Sequence, residues 1–255
     1  MKQFDAYIIC TSPRSGSTLL CRMLAQLKTA GSPDSHFHEP SLEKWLAYHG
    51  LNGNDFDNQR AALTAVFHAA QLKGRGDSDI FGLRLQRDSF DFFVQQLELL
   101  FPQSMGDKDR IEAAFGRTLF VHLSRANKLN QAISVVTAMQ SGLWHMASDG
   151  TEIERSAPAR EPIYNAKAIT AELEGFIAAD KAWETWFEDQ SIEPLKIPYE
   201  ALSQDPYGQL QRVADALGVT CKTLRGQAPP LAKLANERNK KWSERYRSDH
   251  PDQQF

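Results

Sequence analysis

Residues 6–11, AYIICT, form an apolar run that ends at turn-forming residues and is too short for a helix, which predicts a buried parallel strand. From Gly16 the pattern changes. Leu19, Leu20, Met23, Leu24 and Leu27 recur at helical spacing, with polar positions between them. The stretch TAGSPDSHFHEPS (29–41) breaks that repeat with Gly31, Pro33 and Pro40 and reads as a loop. Residues 42–78 read as helical and solvated, with AALTAVFHAA the best segment, and close in the loop KGRGDSD. IFGLRL (80–85) predicts a second buried strand and SFDFFVQQLELLF (89–101) a helix. TLFVHLS (118–124) predicts a third strand, which runs into Arg125 and a helix carrying Leu129, Ala132, Ile133, Val136, Met139 and Leu143.

A polar loop over 148–162 precedes a long helix whose apolar face is Ile169, Leu173, Phe176, Ile177, Trp183, Trp186 and Phe187. EPLKIPYE (193–200) predicts a fourth strand, and YGQLQRVADALG (207–218) a helix closed by Gly218. The segment 236–249 is a polar, basic tail. Strands alternating with helices imply an α/β sandwich around a central parallel sheet. No linker interrupts the pattern, so residues 1–255 are expected to form one domain.

Composition narrows the partners. A net charge of −3 lacks the basic excess of a general nucleic-acid or anionic-membrane binder, while leaving room for a local anion pocket. The three widely spaced cysteines, Cys10, Cys21 and Cys221, read as free thiols of a reducing compartment. No apolar run reaches membrane length, and the N-terminal one is too short for a signal peptide, so a cytoplasmic protein is expected.

The turn after the first strand reads Ser12-Pro13-Arg14-Ser15-Gly16-Ser17-Thr18. A strand-to-helix turn presents free N–H groups and the positive end of a helix dipole, which favours an anion. Gly16 permits close backbone approach, Ser15, Ser17 and Thr18 add hydroxyls, and Arg14 adds a planar cationic fork. The G-x-x-x-x-G-K-[ST] pattern is not met, because Ser17 stands where the lysine would be, so a ligand bound without magnesium is expected. Arg125 at the end of the third strand and Ser134 in the next helix would face the same sheet edge, where ligands of open parallel sheets collect. Arg84, at the end of the second strand, suits either the acceptor side or a structural ion pair.

Taken together, these residues resemble the bacterial sulfotransferases that use 3′-phosphoadenosine 5′-phosphosulfate (PAPS), specifically the trehalose 2-sulfotransferase-like family. The resemblance spans nearly the whole chain. It rests on S-P-R-S-G-S-T-L-L (12–20), G-x-P at Gly31 to Pro33, and R-x-x-K-x-x-Q-A-x-S (125–134). It continues in AWETWFEDQSIEPLKIPYEAL (182–202) and ERNKKWSERYR (237–247). It implies a P-loop-like three-layer sandwich and transfer of a sulfuryl group from PAPS to a sugar or glycolipid hydroxyl, leaving PAP. Arg14, Ser15, Gly16, Ser17 and Thr18 would hold the 5′-phosphosulfate, Arg125 and Ser134 the 3′-phosphate, and Arg238 or Trp242 the closing side of the nucleotide. Family members can pair, so a homodimer is compatible; neither a metal, a nucleic acid nor a membrane is implied.

The family places a glutamate base in a G-x-P-x-E pattern, where this chain reads Gly31-Ser32-Pro33-Asp34-Ser35. The departure leaves the base and trehalose as acceptor open. His36 is the first replacement, because its ordinary pKa lies near neutrality, and Glu39 the second. Asp34, Ser35 and Arg84 are placed on the acceptor side. Phe37, Trp45, Tyr48 and Trp144 could each stack on a sugar ring or simply pack. Two other readings share these motifs: a magnesium-dependent P-loop kinase or triphosphatase, and a silent nucleotide-binding module.

Overall fold

The computed structural model describes residues 3–147, 149–221, 230–231 and 237–251. Strand β1 (Ala6–Thr11) leads through the turn at residues 12–16 into helix α1 (Ser17–Gln26). Helices α2 (Leu42–His49) and α3 (Gln59–Arg75) precede β2 (Phe81–Gln86), and α4 (Arg87–Leu100) and α5 (Asp107–Phe115) precede β3 (Thr118–Ser124). Then come α6 (Lys128–Ser141), a hairpin of β4 (Leu143–Met146) and β5 (Glu152–Arg155), and α7 (Ala166–Asp189). The chain continues through β6 (Leu195–Pro198), α8 (Tyr199–Gln204), α9 (Pro206–Leu217) and α10 (Glu237–Asp249).

The central sheet has the order β2-β1-β3-β6, and every pairing in it is parallel. Its strands divide their side chains by the two-residue alternation of a pleated chain. Ala6, Ile8, Cys10, Leu83 and Leu85 point into one apolar layer with α3, α4, α5 and the Trp183–Phe187 end of α7. Tyr7, Ile9, Val121, Leu123 and Ile197 point into the opposite layer, filled by α1, α8 and α9. Both faces are covered, which is why the strands read as continuous apolar runs. On α1, Leu20, Met23 and Leu24 are wholly buried, each stabilising the fold by about 1.5–3 kcal/mol relative to exposure. A third cluster joins α6, α7 and α10.

Several expectations need correction. The polar loop over 148–162 holds β5, which pairs antiparallel with β4. Leu143 is therefore in a strand, not in the preceding helix. Gly142 closes α6 at φ 72°, and a Cβ there would come within 2.4 Å of the Ala157 carbonyl oxygen. The helical segment 42–78 splits at Gly50, after which Asn58 caps α3 by accepting from the N–H of Ala61. The fourth strand is shorter than expected, because the chain turns into α8 at Tyr199. The basic tail is helix α10, anchored by Trp242 and Tyr246, one turn apart and buried. Met139 and Ile177, assigned to apolar faces, are 58% and 53% exposed. Helix α5 was not foreseen, since only Ile111 and Phe115 face inward from it.

From β1 the chain moves to β2 on one side and then crosses to β3 on the other. The carboxyl ends of β1 and β3 therefore flank the crevice where strand order reverses, the usual place for a ligand. Among the described residues no helix is long and apolar enough to cross a membrane.

Candidate functional site

The turn after β1 is held from beneath before any ligand arrives. Thr11 donates its hydroxyl to the Leu123 carbonyl at 2.7 Å and meets Ser15 Oγ at 2.5 Å. The indole of Trp183 donates to the Thr11 carbonyl at 3.0 Å, and Gln131 Nε2 donates to the Pro13 carbonyl at 2.6 Å. Two residues of the turn take left-handed backbone, Arg14 at φ 61° and Gly16 at φ 84°. Gly16 is the N-cap of α1 and offers no side chain to its first-turn N–H groups, which stay open to an anion. A Cβ at Gly16 would lie 2.9 Å from the Tyr199 ring, so glycine is required by space as well as by φ.

The segment after β3 explains its own motif. Lys128, Gln131 and Ser134 recur every three residues on α6, and Arg125 stands just before it at the end of β3. Gln131 reaches the phosphate loop as described, and Ser134 Oγ accepts from Arg14 Nε at 3.0 Å. Lys128 turns back to the Arg125 carbonyl at 2.6 Å and pairs with Asp180. Glu200 accepts from the N–H groups of Ala126 and Asn127, each at 3.2 Å, which satisfies the start of the α6 turn.

These elements open on a cleft of about 740 Å³. Arg14 and Arg125 both line it, and they touch: Arg125 Nη1 donates to the Arg14 carbonyl at 3.2 Å. Arg14 also donates to the Trp144 carbonyl. Arg125 lies over the Tyr199 ring at 4.4 Å, is 9% exposed, and has a buried Nε with no partner. Neither arginine meets a carboxylate within ion-pair distance among the described residues. Burial, followed by mutual repulsion, pushes the pKa of Arg14 down; burial does the same to Arg125. Two guanidinium groups converging with no carboxylate in ion-pair reach favour an anion between them. The two arginine pockets expected from the sequence are adjacent, joined by the Arg125 bond to the Arg14 carbonyl, with Ser134 on the Arg14 side.

The other end of the cleft is built around Arg84. Its Nη1 donates to Thr18 Oγ1 at 2.7 Å, its Nε to Ser35 Oγ at 2.8 Å, and its Nη2 to Asp34 Oδ1 at 3.2 Å. Arg84 thus ties the turn after β1 to the 34–35 loop, the structural pairing that was one of the two roles expected of it. Asp34, Ser35, His38 and Tyr48 line this end, and Trp144 and His145 form a wall from the β4–β5 hairpin. His145 Nε2 lies 3.1 Å from Thr18 Oγ1 and 3.6 Å from Glu154 Oε2.

Five expected site residues lie elsewhere. Ser15 is wholly buried beneath the turn, its Oγ turned to Thr11 rather than to the cleft. His36 is 3% exposed, packs on Phe81 with ring centroids 6.2 Å apart, and sits 3.3 Å from the Ser32 carbonyl through Nε2. Burial pushes its pKa down to about 4. It belongs beneath the loop rather than in the cleft, because the aromatic pattern around it selects an inward ring. Glu39, at φ 65°, points to solvent and pairs with Lys44 at 3.7 Å. Arg238 pairs with Glu161 at 2.6 Å, and Trp242 packs edge-on against Tyr164 in the α10 cluster. From α10 it is Asn239 that lines the cleft. Phe37 and Trp45 are core residues, packed edge to face at 5.0 Å, whereas Tyr48 and Trp144 reach the cleft. Sequence reasoning missed His145 and Glu154 because the hairpin that carries them was read as helix end and loop. Tyr199 and Glu200 were hidden in what read as a strand.

A family model described as Stf0 sulphotransferase matches residues 6–249. A trehalose 2-sulfotransferase of Mycobacterium tuberculosis is 28% identical over 268 residues, covering 96% of this chain and 95% of the relative. A protein of the same name from Mycolicibacterium smegmatis is 26% identical, with the same coverage of 96% and 95%. The sulfotransferase domain of the Synechococcus PCC 7002 olefin synthase aligns at TM-score 0.46 and 17% identity, over 95% of this chain and 86% of that one. That last likeness is too loose to bear on the site.

Proposed function

The chain belongs to the Stf0 sulphotransferase family, and from that premise we propose that it moves a sulfuryl group from PAPS to a hydroxyl of a carbohydrate or glycolipid acceptor. The products are PAP and a sulfate ester. Residues 1–255 act as one sulfotransferase domain in this proposal. The observation that carries the donor assignment is the pair Arg14 and Arg125, converging in one cleft with no carboxylate within ion-pair distance among the described residues.

The residues present fit a doubly phosphorylated adenosine. The orphaned Nε of Arg125 needs an acceptor, and Gly16 leaves space at the α1 terminus where a Cβ would collide. PAPS bound there supplies an activated sulfuryl group on its 5′-phosphate. Arg14, the N–H groups around Gly16, and the hydroxyls of Ser17 and Thr18 would hold that end, with Ser15 keeping the turn in shape from beneath through Thr11. Arg125 and Ser134 would hold the 3′-phosphate. Each charge-assisted hydrogen bond contributes roughly 1.5–3 kcal/mol. Donors fixed in advance by Thr11, Gln131 and Trp183 do not reorganise when negative charge grows on the leaving oxygen, which is where such a site lowers the barrier.

The acceptor belongs at the Arg84 end, between Asp34, Ser35, Tyr48 and Trp144. A trehalose-like sugar suits the hydrogen-bonding groups and the two aromatic rings there, and the relatives' names support it. Calorimetric titration with PAP and with ATP, each with and without magnesium, tests the donor class. PAP binding that ignores magnesium is the expected result; binding of ATP alone, dependent on magnesium, would replace the proposal with a kinase or triphosphatase.

A further inference from the structure

Sulfuryl transfer to a hydroxyl needs a group that takes its proton, and position 35 supplies none. Ser35 is neutral, and its Oγ already accepts from Arg84. Asp34 is held by Arg84 and by the N–H of Ser35, both on Oδ1. His36 and Glu39 lie outside the cleft. The β4–β5 hairpin, by contrast, places an imidazole on the phosphate loop itself: His145 Nε2 stands 3.1 Å from Thr18 Oγ1. Arg84 donates to the same Thr18 oxygen, so the Thr18 proton is free to point at Nε2. In that arrangement Nε2 carries a lone pair facing the junction of the donor and acceptor ends of the cleft.

Resting on the sulfotransferase reading above, we propose that His145 is the proton acceptor of the reaction and that donor binding switches it on. An acceptor hydroxyl entering beside Thr18 takes the place of the Thr18 O–H at the Nε2 lone pair, and Thr18 turns its proton to the donor. As its oxygen forms a bond to sulfur, its proton passes to Nε2. The sulfur–oxygen bond to the 5′-phosphate breaks, and that electron pair stays on the phosphate of PAP. Glu154, 3.6 Å from Nε2, steadies the imidazolium so formed.

The switch follows from the charges facing the ring. Arg14 from the phosphate loop, Arg84 from β2 and Arg22 from α1 all oppose a proton on His145, and Glu154 on β5 favours it. Burial, and then those arginines, push its pKa down to about 4, so the free protein holds it neutral but weakly basic. An anion seated on Arg14 cancels part of that field and raises the basicity of Nε2 only when the donor is in place. Without donor, the imidazole has little hold on a proton.

Two measurements test this. Calorimetry of PAP binding near pH 6, in two buffers of different ionisation heat, should show proton uptake in the parent that His145→Gln lacks. Release of labelled sulfate from PAPS, with water standing in for the acceptor hydroxyl, should fall roughly 10²–10⁴-fold in His145→Ala and in His145→Gln. PAP affinity in both should stay within about three-fold of the parent, which also reports that each variant is folded. Equal proton uptake in parent and variant, or sulfate release within about three-fold of the parent, overturns the proposal. A parent that binds no PAP would remove the donor reading and this one with it; PAP binding without a His145-dependent proton removes this one alone.

Discussion

The two ends of the cleft are built differently. The donor end is fixed by buried contacts from four elements: Thr11 from β1, Gln131 from α6, Trp183 from α7 and Arg125 after β3. The proposed acceptor end is tied to β2 by one backbone bridge, Asp34 to Leu83, and by the side chain of Arg84, which reaches out to an exposed Asp34 and a half-buried Ser35. Its opposite wall is a hairpin of two four-residue strands with two register shifts. A rigid donor end suits a ligand whose phosphates stay in place while charge develops on one of them. A lightly tethered acceptor end can change residues without disturbing the sheet, and here it does: serine stands at position 35 while the phosphate loop stays intact.

The comparison would break first at the arginines. Arg14→Gln or Arg125→Gln should weaken PAP binding by about 10–100-fold, the loss of one or two charge-assisted hydrogen bonds. A change of less than two-fold in both, read by calorimetry, would place the phosphates elsewhere.

Next in size is the acid response of His36, which separates a structural histidine from a catalytic one. Unfolded, its imidazole binds a proton below its ordinary pKa of 6.5; folded, it resists protonation until about 4. The folded state is therefore undiminished above pH 6.5 and loses up to about 3 kcal/mol as pH falls from 6.5 to 4. His36→Phe should flatten that part of a melting-temperature profile while leaving PAP affinity unchanged. An unaltered acid slope would put the ring in contact with solvent.

Gly16→Ala sharpens the donor end at smaller cost. Left-handed backbone costs an alanine roughly 1–2 kcal/mol, and its Cβ would push on Tyr199, the ring under Arg125. Both melting temperature and PAP affinity should fall, the second by about 3–10-fold if only part of the Arg125 contact is lost. The smallest effects belong to Glu39→Ala and Arg238→Ala. Both remove exposed ion pairs outside the cleft, worth about 0–1 kcal/mol, and should leave PAP binding unchanged.

What the sequence revealed divides along the same line. The proposed donor end was legible because strand, turn and helix are adjacent in the chain, and because Arg125 just before α6 is followed at multiples of three by Gln131 and Ser134 on it. The central sheet was legible because its strands, buried on both faces, are continuous apolar runs. The acceptor end was not. His145 and Glu154 meet Thr18 only through a hairpin whose strands have just four residues each and no apolar alternation to announce them. His36 looked catalytic by its chemistry, and only the stacked Phe81 ring and the aromatic cluster below show that it faces inward. In α10, Trp242 and Tyr246 were lost among charged neighbours, although their four-residue spacing was the signal of a docked helix.

The most direct test compares PAP with adenosine 5′-phosphate, which lacks the 3′-phosphate, on the parent and on Arg125→Gln. The parent should prefer PAP by about 10–100-fold, and the variant should lose most of that preference while its affinity for adenosine 5′-phosphate changes little. An equal preference in parent and variant would contradict the assignment of Arg125 to the second phosphate, and no preference in the parent would contradict the two-phosphate cradle itself.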